Sequence, residues 1–335
     1  MVLSMDNLPD QFIALSVKNP GSLAQFQQFK TSDVLNSDVI VKVKYTTLNY
    51  KDVLVIHGAQ NVIKNYPMIP GSDFVGEVLK SNVANFSPGD KVMGSGFGLG
   101  EFKWGGLSLL VGANQEWLLK IPDFIDEKQL ISLGNAGLTA FACVDVITRN
   151  LKVRSQQLPI VVTGTTGGVG SIALNVLAKL GYQTVAVVRN INQSSYVKQL
   201  GAHQVVTPDD LNVSPEKKLW HQRFDGAIDA VGGELLSKIL LQLSYKASVA
   251  CCGHVAGDEI RLSLYPLILR AINIQGVEMV YFPVKQRLEL LNRYFKYVDF
   301  NNILITEITF DETLSYAKKM RNNDFDGRVI IRVAD

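Results

Sequence analysis

Three features of the 335-residue sequence predict an α/β protein in which a doubly wound parallel sheet is joined to a second, β-rich domain. The first is Gly-Thr-Thr-Gly-Gly-Val-Gly at 164–170, which follows the apolar stretch 158–163 and precedes a helical pattern at 171–180 that stops at Gly181. Strand, glycine turn and helix in that order present backbone N–H groups and a helix N-terminus to a pyrophosphate. The second is a series of short apolar runs at 184–188, 204–206, 226–231, 248–253 and 272–277, with helical stretches between most of them. Together with 158–163 they complete six strands of one parallel sheet. The third is a change of texture in the first 124 residues, where alternating segments such as Val-Ile-Val-Lys-Val-Lys-Tyr at 39–45 are separated by Gly, Pro and Asn turns.

Within the β-rich part, Pro-Gly-Asp at 88–90 reads as a turn into a strand at 91–94, and Trp-Gly-Gly at 104–106 as a tight loop carrying an aromatic. Past the sixth strand of the parallel sheet, 285–297 is amphipathic and helical. After it 303–308 reads as strand, 312–321 as helix and 328–332 as strand, the last strands returning to the first domain. The expected organisation is a nucleotide-binding domain at 125–279 inserted into a substrate domain made of 1–124 and 280–335. Such an insertion leaves a cleft, where ligands prefer to bind.

The length exceeds one ordinary core and suits two. With 47% hydrophobic and 19% charged residues the chain falls in the globular class. The 33 Lys and Arg against 31 Asp and Glu leave a net charge of +2, and no dense basic run with interleaved aromatics asks for nucleic acid. Met-Val-Leu-Ser-Met-Asp-Asn at 1–7 lacks the basic start and apolar block of a signal peptide, and no apolar run is read as approaching the ~18 residues of a membrane span. The expectation is a cytoplasmic protein with no membrane partner. Cys143, Cys251 and Cys252 form no disulfide framework and are expected as reduced thiols, the adjacent pair on or near a core strand.

Thr165 stands where a strict G-x-G-x-x-G would place glycine, so an ordinary βα turn competes with the nucleotide reading until the six-strand context is added. An NAD site sets an acid about 20 residues beyond the glycines to hold the ribose 2′-hydroxyl. Here Arg189 and Asn190 follow the strand at 184–188. A cation at that point can pair with a 2′-phosphate, so the expected cofactor is NADPH. The candidate cofactor-binding residues of the turn are Thr165, Thr166, Gly167, Gly168, Val169 and Gly170. Beyond Arg189 and Asn190, Tyr196 with its neighbours Ser194 and Lys198 offers contacts to the phosphate, although each reads equally well as a solvated helix residue. Asp229, Gly232 and Gly233 end the fourth strand at the switch-point side, where a ribose should pass. Cys252 and Gly253, at the end of the strand at 248–253, and His254, which follows it and borders the expected nicotinamide pocket, are further cofactor-binding candidates.

The order of these motifs resembles the zinc-independent medium-chain dehydrogenase/reductase superfamily over essentially the whole chain. The matching stretches are Leu-Asn-Tyr-Lys-Asp at 48–52, Pro-Met-Ile-Pro-Gly-Ser-Asp-Phe-Val-Gly-Glu at 67–77, Gly-Asp-Lys-Val at 89–92, Gly-Asn-Ala-Gly-Leu-Thr-Ala at 134–140, the glycine turn and Leu-Gly-Ala at 200–202. Within it the sequence is most similar to the bacterial acryloyl-CoA reductase and quinone oxidoreductase subgroup, through 48–52, 104–106, Ile-Leu-Arg at 268–270 and Gln-Gly-Val at 275–277. Met-Val-Tyr-Phe at 279–282 departs from the serine usual there. The resemblance implies a Rossmann domain inserted into a GroES-like, β-barrel-type catalytic domain. It also implies that Thr139 approaches the nicotinamide and that Arg328 reaches the cofactor. A helix-start residue and a surface charge are the respective alternatives.

Zinc-dependent relatives use Cys and His as catalytic ligands and a separate four-cysteine lobe, since thiolates and imidazoles hold zinc tetrahedrally. By alignment Asn49 and Ser72 stand at the first two catalytic positions, and His57, His203, His221 and His254 are scattered without ligand spacing, so no metal is expected. No G-x-S-x-G elbow is present. The reaction then has to suit hydride delivery alone: reduction of an activated C=C bond, or of a quinone. Asn49, Tyr50 and Asp52 are the candidate catalytic residues. Asn49 offers an amide donor to a carbonyl or to the nicotinamide ribose, Tyr50 a protonated phenol, and Asp52 an acceptor that orients its neighbours. The competing reading is that Asn49 and Asp52 merely cap a helix at 50–56. A CoA thioester as substrate is implied by the subgroup resemblance alone, with Lys51, Lys64, Lys103 and Arg270 as available cations. NADPH:quinone oxidoreduction and a non-catalytic NADPH-binding sensor or structural role are the alternatives. The strand at 272–277 would be a sheet edge, which predicts a homodimer.

Overall fold

A computed structural model describes residues 8–151, 157–214, 216–322 and 324–334; the N-terminal heptapeptide weighed as a leader lies outside them. The chain divides into two compact units, one of Met1–Asn135, Met279–Leu288 and Ile305–Asp335, the other of Ala136–Glu278 and Glu289–Leu304.

The first unit opens with a hairpin of β1 (Gln11–Ser16) and β2 (Gln25–Lys30). It continues through β3 (Val39–Thr47), helix α1 (Tyr50–Ile56), β4 (Asp73–Ser81), β5 (Lys91–Ser95), β6 (Leu110–Ala113) and β7 (Leu118–Lys120). Helix α2 (Glu127–Leu151) runs across the division in the sequence. The second unit holds β8 (Ile160–Val162), α3 (Gly168–Lys179), β9 (Thr184–Val187), α4 (Ser194–Gln199), β10 (Gln204–Val206), β11 (Phe224–Asp229), α5 (Gly233–Leu240), β12 (Leu243–Cys251), α6 (Leu264–Leu269) and β13 (Asn273–Gly276). Helix α7 (Val284–Tyr294) crosses the next division, and β14 (Ile305–Thr309), α8 (Thr313–Arg321) and β15 (Arg328–Arg332) complete the first unit.

All six strands of the second unit are parallel, in the order β10-β9-β8-β11-β12-β13. The order reverses between β8 and β11, the switch point of a doubly wound sheet. Its central strands read as continuous apolar runs because both faces are covered. Ile160, Val161, Val162, Ala227 and Ile228 are all fully buried. In the first unit the sheet runs β14-β15-β3-β4-β5-β7, with β6 on β3, and only the β14–β15 pair is parallel. Ile330 lies opposite Thr47, so the last strand docks on β3 immediately before α1 begins. Leu15, Val41, Val43, Leu48, Phe74, Leu99, Val329 and Ile331 belong to the core beneath.

Two sequence expectations need correction. Residues 125–135 belong to the first unit, not to the nucleotide-binding domain, and residues 289–304 belong to the second unit, not to the first. Polar anchors hold them there: the Tyr294 hydroxyl lies 2.9 Å from Asp145 Oδ1 and 3.1 Å from Thr148 Oγ1, and Lys179 pairs with Asp299 at 2.9 Å. Leu291 is fully buried alongside. Helix α2, for its part, is long and apolar enough over Glu127–Arg149 to cross a bilayer, and 94% of that span is buried inside the protein. Its length escaped the sequence reading because Ser132, Asn135, Thr139, Asp145 and Thr148 interrupt the apolar pattern. Gly134, at φ 52° and ψ −152°, breaks the helix into two.

Candidate active site and cofactor site

In the second unit, the phosphate-binding turn is built by close backbone packing. Gly167 caps α3 and donates its N–H to Gly164 O at 3.0 Å. A Cβ on Gly170 would sit 2.3 Å from Gly164 O, so only glycine lets the first turn of the helix lie against the loop. Thr165, at the position where glycine was expected, is buried, and its hydroxyl donates to Val187 O at 2.9 Å. Its side chain therefore braces the turn to the end of β9 and does not face a ligand. Thr166, Gly168 and Val169 are half-buried and Gly167 is exposed, leaving the N-terminus of α3 open to an anion.

Arg189 and Asn190 follow β9 and are exposed. Among the described residues no carboxylate pairs with Arg189. Asn190 Oδ1 accepts from Asn192 N at 3.0 Å, which turns the chain into α4. Tyr196, expected near the phosphate, is instead buried, with its hydroxyl 3.4 Å from Leu304 N. Asp229, expected beside a ribose, has both carboxylate oxygens engaged. Oδ1 accepts from Thr163 Oγ1 at 2.7 Å and Oδ2 from Gly232 N at 2.8 Å. Burial raises its pKa above the ordinary carboxylate value. It clamps the ends of β8 and β11 together. Cys252 donates its N–H to Asp229 O at 2.8 Å, while Gly253 is half-buried and His254 exposed. The three cysteines are free thiols, and burial pushes Cys251 up to about 12, which leaves it un-ionised at neutral pH. Thr139 is buried within α2, five residues past the break.

In the first unit the candidate catalytic triplet starts α1. Asn49 is the N-cap residue and half-buried, and Tyr50 is 56% exposed, its hydroxyl bonded to no other described residue. Asp52 is buried: Oδ2 accepts from Asn49 N at 2.9 Å, and Oδ1 accepts from Ser72 N at 2.9 Å and Ser72 Oγ at 2.7 Å. With three donors on its carboxylate, Asp52 acts as helix cap and strut. The capping reading describes it better than a catalytic one.

Asn49 is a different case, because charges hold its amide. Nδ2 donates to Asp73 Oδ2 at 2.7 Å, and Oδ1 accepts from Arg328 Nη1 at 3.2 Å. Asp73 also accepts from Ser95 Oγ at 2.6 Å and Asn135 N at 2.9 Å. Arg328 donates to Ser132 O at 2.7 Å and Thr47 Oγ1 at 3.2 Å. Arg328, expected to reach a cofactor, is thus buried with its guanidinium spent on protein acceptors. Burial lowers its pKa, and the carboxylates of Asp73 and Asp52 oppose that shift. Asp73, Ser95 and Asn135 were absent from the sequence candidates. Asp73 sat within the quoted stretch at 67–77, but nothing local distinguished it.

Residues 36–123 match the family model for the alcohol dehydrogenase GroES-like domain, and residues 168–293 that for zinc-binding dehydrogenase. Acrylyl-CoA reductase AcuI of Ruegeria pomeroyi is 33% identical, over 92% of this chain and 94% of that protein. This chain belongs to the medium-chain dehydrogenase/reductase superfamily. Among solved structures, the yhdH oxidoreductase of Salmonella enterica in complex with NADP matches this medium-chain reductase at TM-score 0.91 and 36% identity, covering 97% of this chain and 100% of that one. Bacillus subtilis protein yhfP with NAD bound matches at TM-score 0.90 and 33% identity, covering 96% and 99%. These likenesses place it in the acryloyl-CoA reductase and quinone oxidoreductase-like subgroup.

One matching family model is named for zinc, and the donor set here does not suit that ion. Asn49 and Ser72 are bonded to carboxylates, and among the described residues no three His, Cys, Asp or Glu gather into a metal-binding group. A dinucleotide does fit. The Gly170 contact leaves room for backbone alone at the turn, and the exposed N-terminus of α3 and Arg189 are the two cationic features an adenine dinucleotide phosphate requires.

Burial raises the pKa of Asp52 from its ordinary 3.8, against the Lys51 charge and the hydrogen bonds from Ser72 and Asn49, with Asp73 adding to the rise. The contribution of the neutral carboxyl to stability is therefore fully present below 3.8 and lost as pH rises through the raised value. Compared with Asp52→Asn, which does not titrate, the stability advantage of the wild type in urea unfolding is expected to shrink as pH rises above about 4. An advantage that grows as pH rises would contradict the direction.

Proposed function

We propose that this medium-chain reductase uses NADPH to reduce an activated carbon–carbon double bond, that of acryloyl-CoA or a similar small enoyl thioester or enone. The observation that carries the reading is Asn49: a neutral amide donor, fixed at both ends, at the position where zinc-dependent relatives are expected to place a metal ligand. The Ruegeria relative is named an acrylyl-CoA reductase and the Salmonella structure holds NADP, which supports both the substrate class and the cofactor.

The backbone N–H groups of 164–170 and the N-terminus of α3 would hold the pyrophosphate, and Arg189 the 2′-phosphate. Bound NADPH supplies a hydride to the β-carbon. As negative charge gathers on the substrate carbonyl oxygen, the second Nδ2 hydrogen of Asn49 donates to it. The exposed hydroxyl of Tyr50 is the nearest unengaged donor in the sequence and the candidate for the proton that completes the α-carbon. Asp52 holds the start of α1, and with it the backbone of Asn49.

The chain also offers an open sheet edge at β13, beside an α6 whose Leu264, Tyr265, Ile268 and Leu269 are exposed. We propose that this edge pairs with a second copy across a two-fold axis. Sedimentation equilibrium at micromolar concentration should return twice the monomer mass of 36.9 kDa; a monomer would remove the proposal.

Arg189→Asp is expected to weaken NADPH binding about 10- to 100-fold while altering NADH binding far less, the loss of one or two charge-assisted bonds. Equal losses for the two cofactors would take Arg189 out of the phosphate site. Anaerobic NADPH oxidation should be fast with acryloyl-CoA, yielding propionyl-CoA, and slow with an ortho-quinone. In Asn49→Ala, kcat should fall by about 10²-fold, with NADPH affinity held within about twofold. The reverse substrate preference would establish quinone reduction instead, and tight NADPH binding without turnover of either would point to a sensor or structural role.

A further inference from the structure

Two charged side chains hold the Asn49 amide, and they permit one orientation of it. Nδ2 faces the Asp73 carboxylate and Oδ1 faces the Arg328 guanidinium. Turning the amide over would set NH₂ against the guanidinium and the carbonyl oxygen against the carboxylate. Asp73 is 0% and Arg328 3% exposed, so water cannot relieve either repulsion. Neither charge is free to swing away. Asp73 is tied through Oδ1 to Ser95 Oγ and through Oδ2 to Asn135 N, and Arg328 through Nε to Ser132 O and through Nη2 to Thr47 Oγ1. The space above them is closed as well: a Cβ on Gly134 would lie 2.8 Å from Asp73 Oδ2 and 3.2 Å from Arg328 Nη2.

A side-chain amide carries two N–H hydrogens. Asp73 takes one and thereby sets the direction of the other. We propose that Asp73, with Arg328 as its countercharge, is a positioning residue for the reduction: it locks the Asn49 amide so that the second Nδ2 hydrogen stands preorganised as donor to the substrate carbonyl oxygen. The proposal rests on Asn49 being that donor. A donor already pointing at the developing charge needs no reorganisation when the hydride arrives, and this is the property that makes a fixed hydrogen bond catalytic.

A double-mutant cycle on the whole enzyme, with NADPH and acryloyl-CoA, tests it. Asp73→Asn keeps the size of the side chain and removes the charge that selects the amide orientation. The expected result is a fall in kcat of about 10²-fold with the dissociation constant for NADPH held within about twofold. Placed in an Asn49→Ala background, Asp73→Asn should cost less than about a further twofold, because the group it positions is already gone. A merely structural role would multiply the two losses, and that outcome overturns the proposal, as does a wild-type kcat in Asp73→Asn. If Asn49→Ala alone leaves kcat intact, the donor role of Asn49 is what falls, and that is read without touching Asp73. Asp73→Asn leaves Arg328 buried without its countercharge, so the chain can fail to fold. Ser95→Ala then replaces it in the cycle, since it loosens Asp73 and retains both charges. There kcat is expected to fall at least about threefold, and the fall should vanish in the Asn49→Ala background. No fall, or one that persists there, overturns the proposal equally.

Discussion

Two buried charges, Asp73 and Arg328, organise the first unit. Taking an ion out of water costs several kcal/mol even after relaxation, about as much as the whole margin of stability of a domain, so the fold has to return that cost at fixed points. Here the return comes from three separate stretches of chain: the end of β3 with Thr47 and Asn49, the end of β5 at Ser95, and the break in α2 around Ser132 to Asn135. Each supplies a donor or acceptor to the charges at the starts of β4 and β15. Strand ends far apart in sequence must therefore meet, and the place where they meet is the candidate active site. A site made this way is rigid because the fold depends on it, which is the condition for a hydrogen-bond donor to be preorganised.

The second unit solves its own problem with backbone. Its anion site depends on N–H groups and a helix terminus, which every residue carries, so side chains in the turn matter by what they leave open. Thr165 shows how a residue that breaks the strict glycine pattern can be accommodated: its hydroxyl is satisfied by Val187 O and its bulk points into the sheet. Gly170 cannot be replaced in that way, because the atom a side chain would strike is a carbonyl of the turn itself. On the proposed reading, specificity between the two nicotinamide cofactors would then fall to Arg189, two residues past the end of β9, where an exposed arginine takes the place of an acid.

The parallel sheet, the helix at 50–56 and the return of the last strand to the first unit were all legible in the sequence, because each rests on local periodicity and turn chemistry. The glycine turn was legible for the same reason. What was not legible is long-range. Asp73 lies 24 residues from Asn49 and Arg328 lies 279 away, and no local pattern announces that the three will touch. Arg328 looked like a solvent-facing or cofactor-facing cation because charged residues seldom lie inside without partners, and its partners come from elsewhere in the chain. Asp229 and Tyr196 misled in the same direction. Both lie beside a real cofactor motif, and both are committed to holding strands and loops in place. Asp52 was readable either way, and its three donors decide for the cap.

On the proposed reading, an amide standing in place of a metal ligand at position 49 limits what the site can reduce. A zinc ion polarises a carbonyl strongly enough to make it accept hydride at carbon, a stabilisation of several kcal/mol. A single well-placed neutral donor supplies about 3–4 kcal/mol. That is modest for a simple ketone and better matched to a conjugated acceptor, where the incoming charge is already spread from the β-carbon to the carbonyl oxygen. The lock on Asn49 sharpens this choice. A donor held by buried charges serves an oxygen at one position, and a substrate whose developing charge falls elsewhere gains nothing from it.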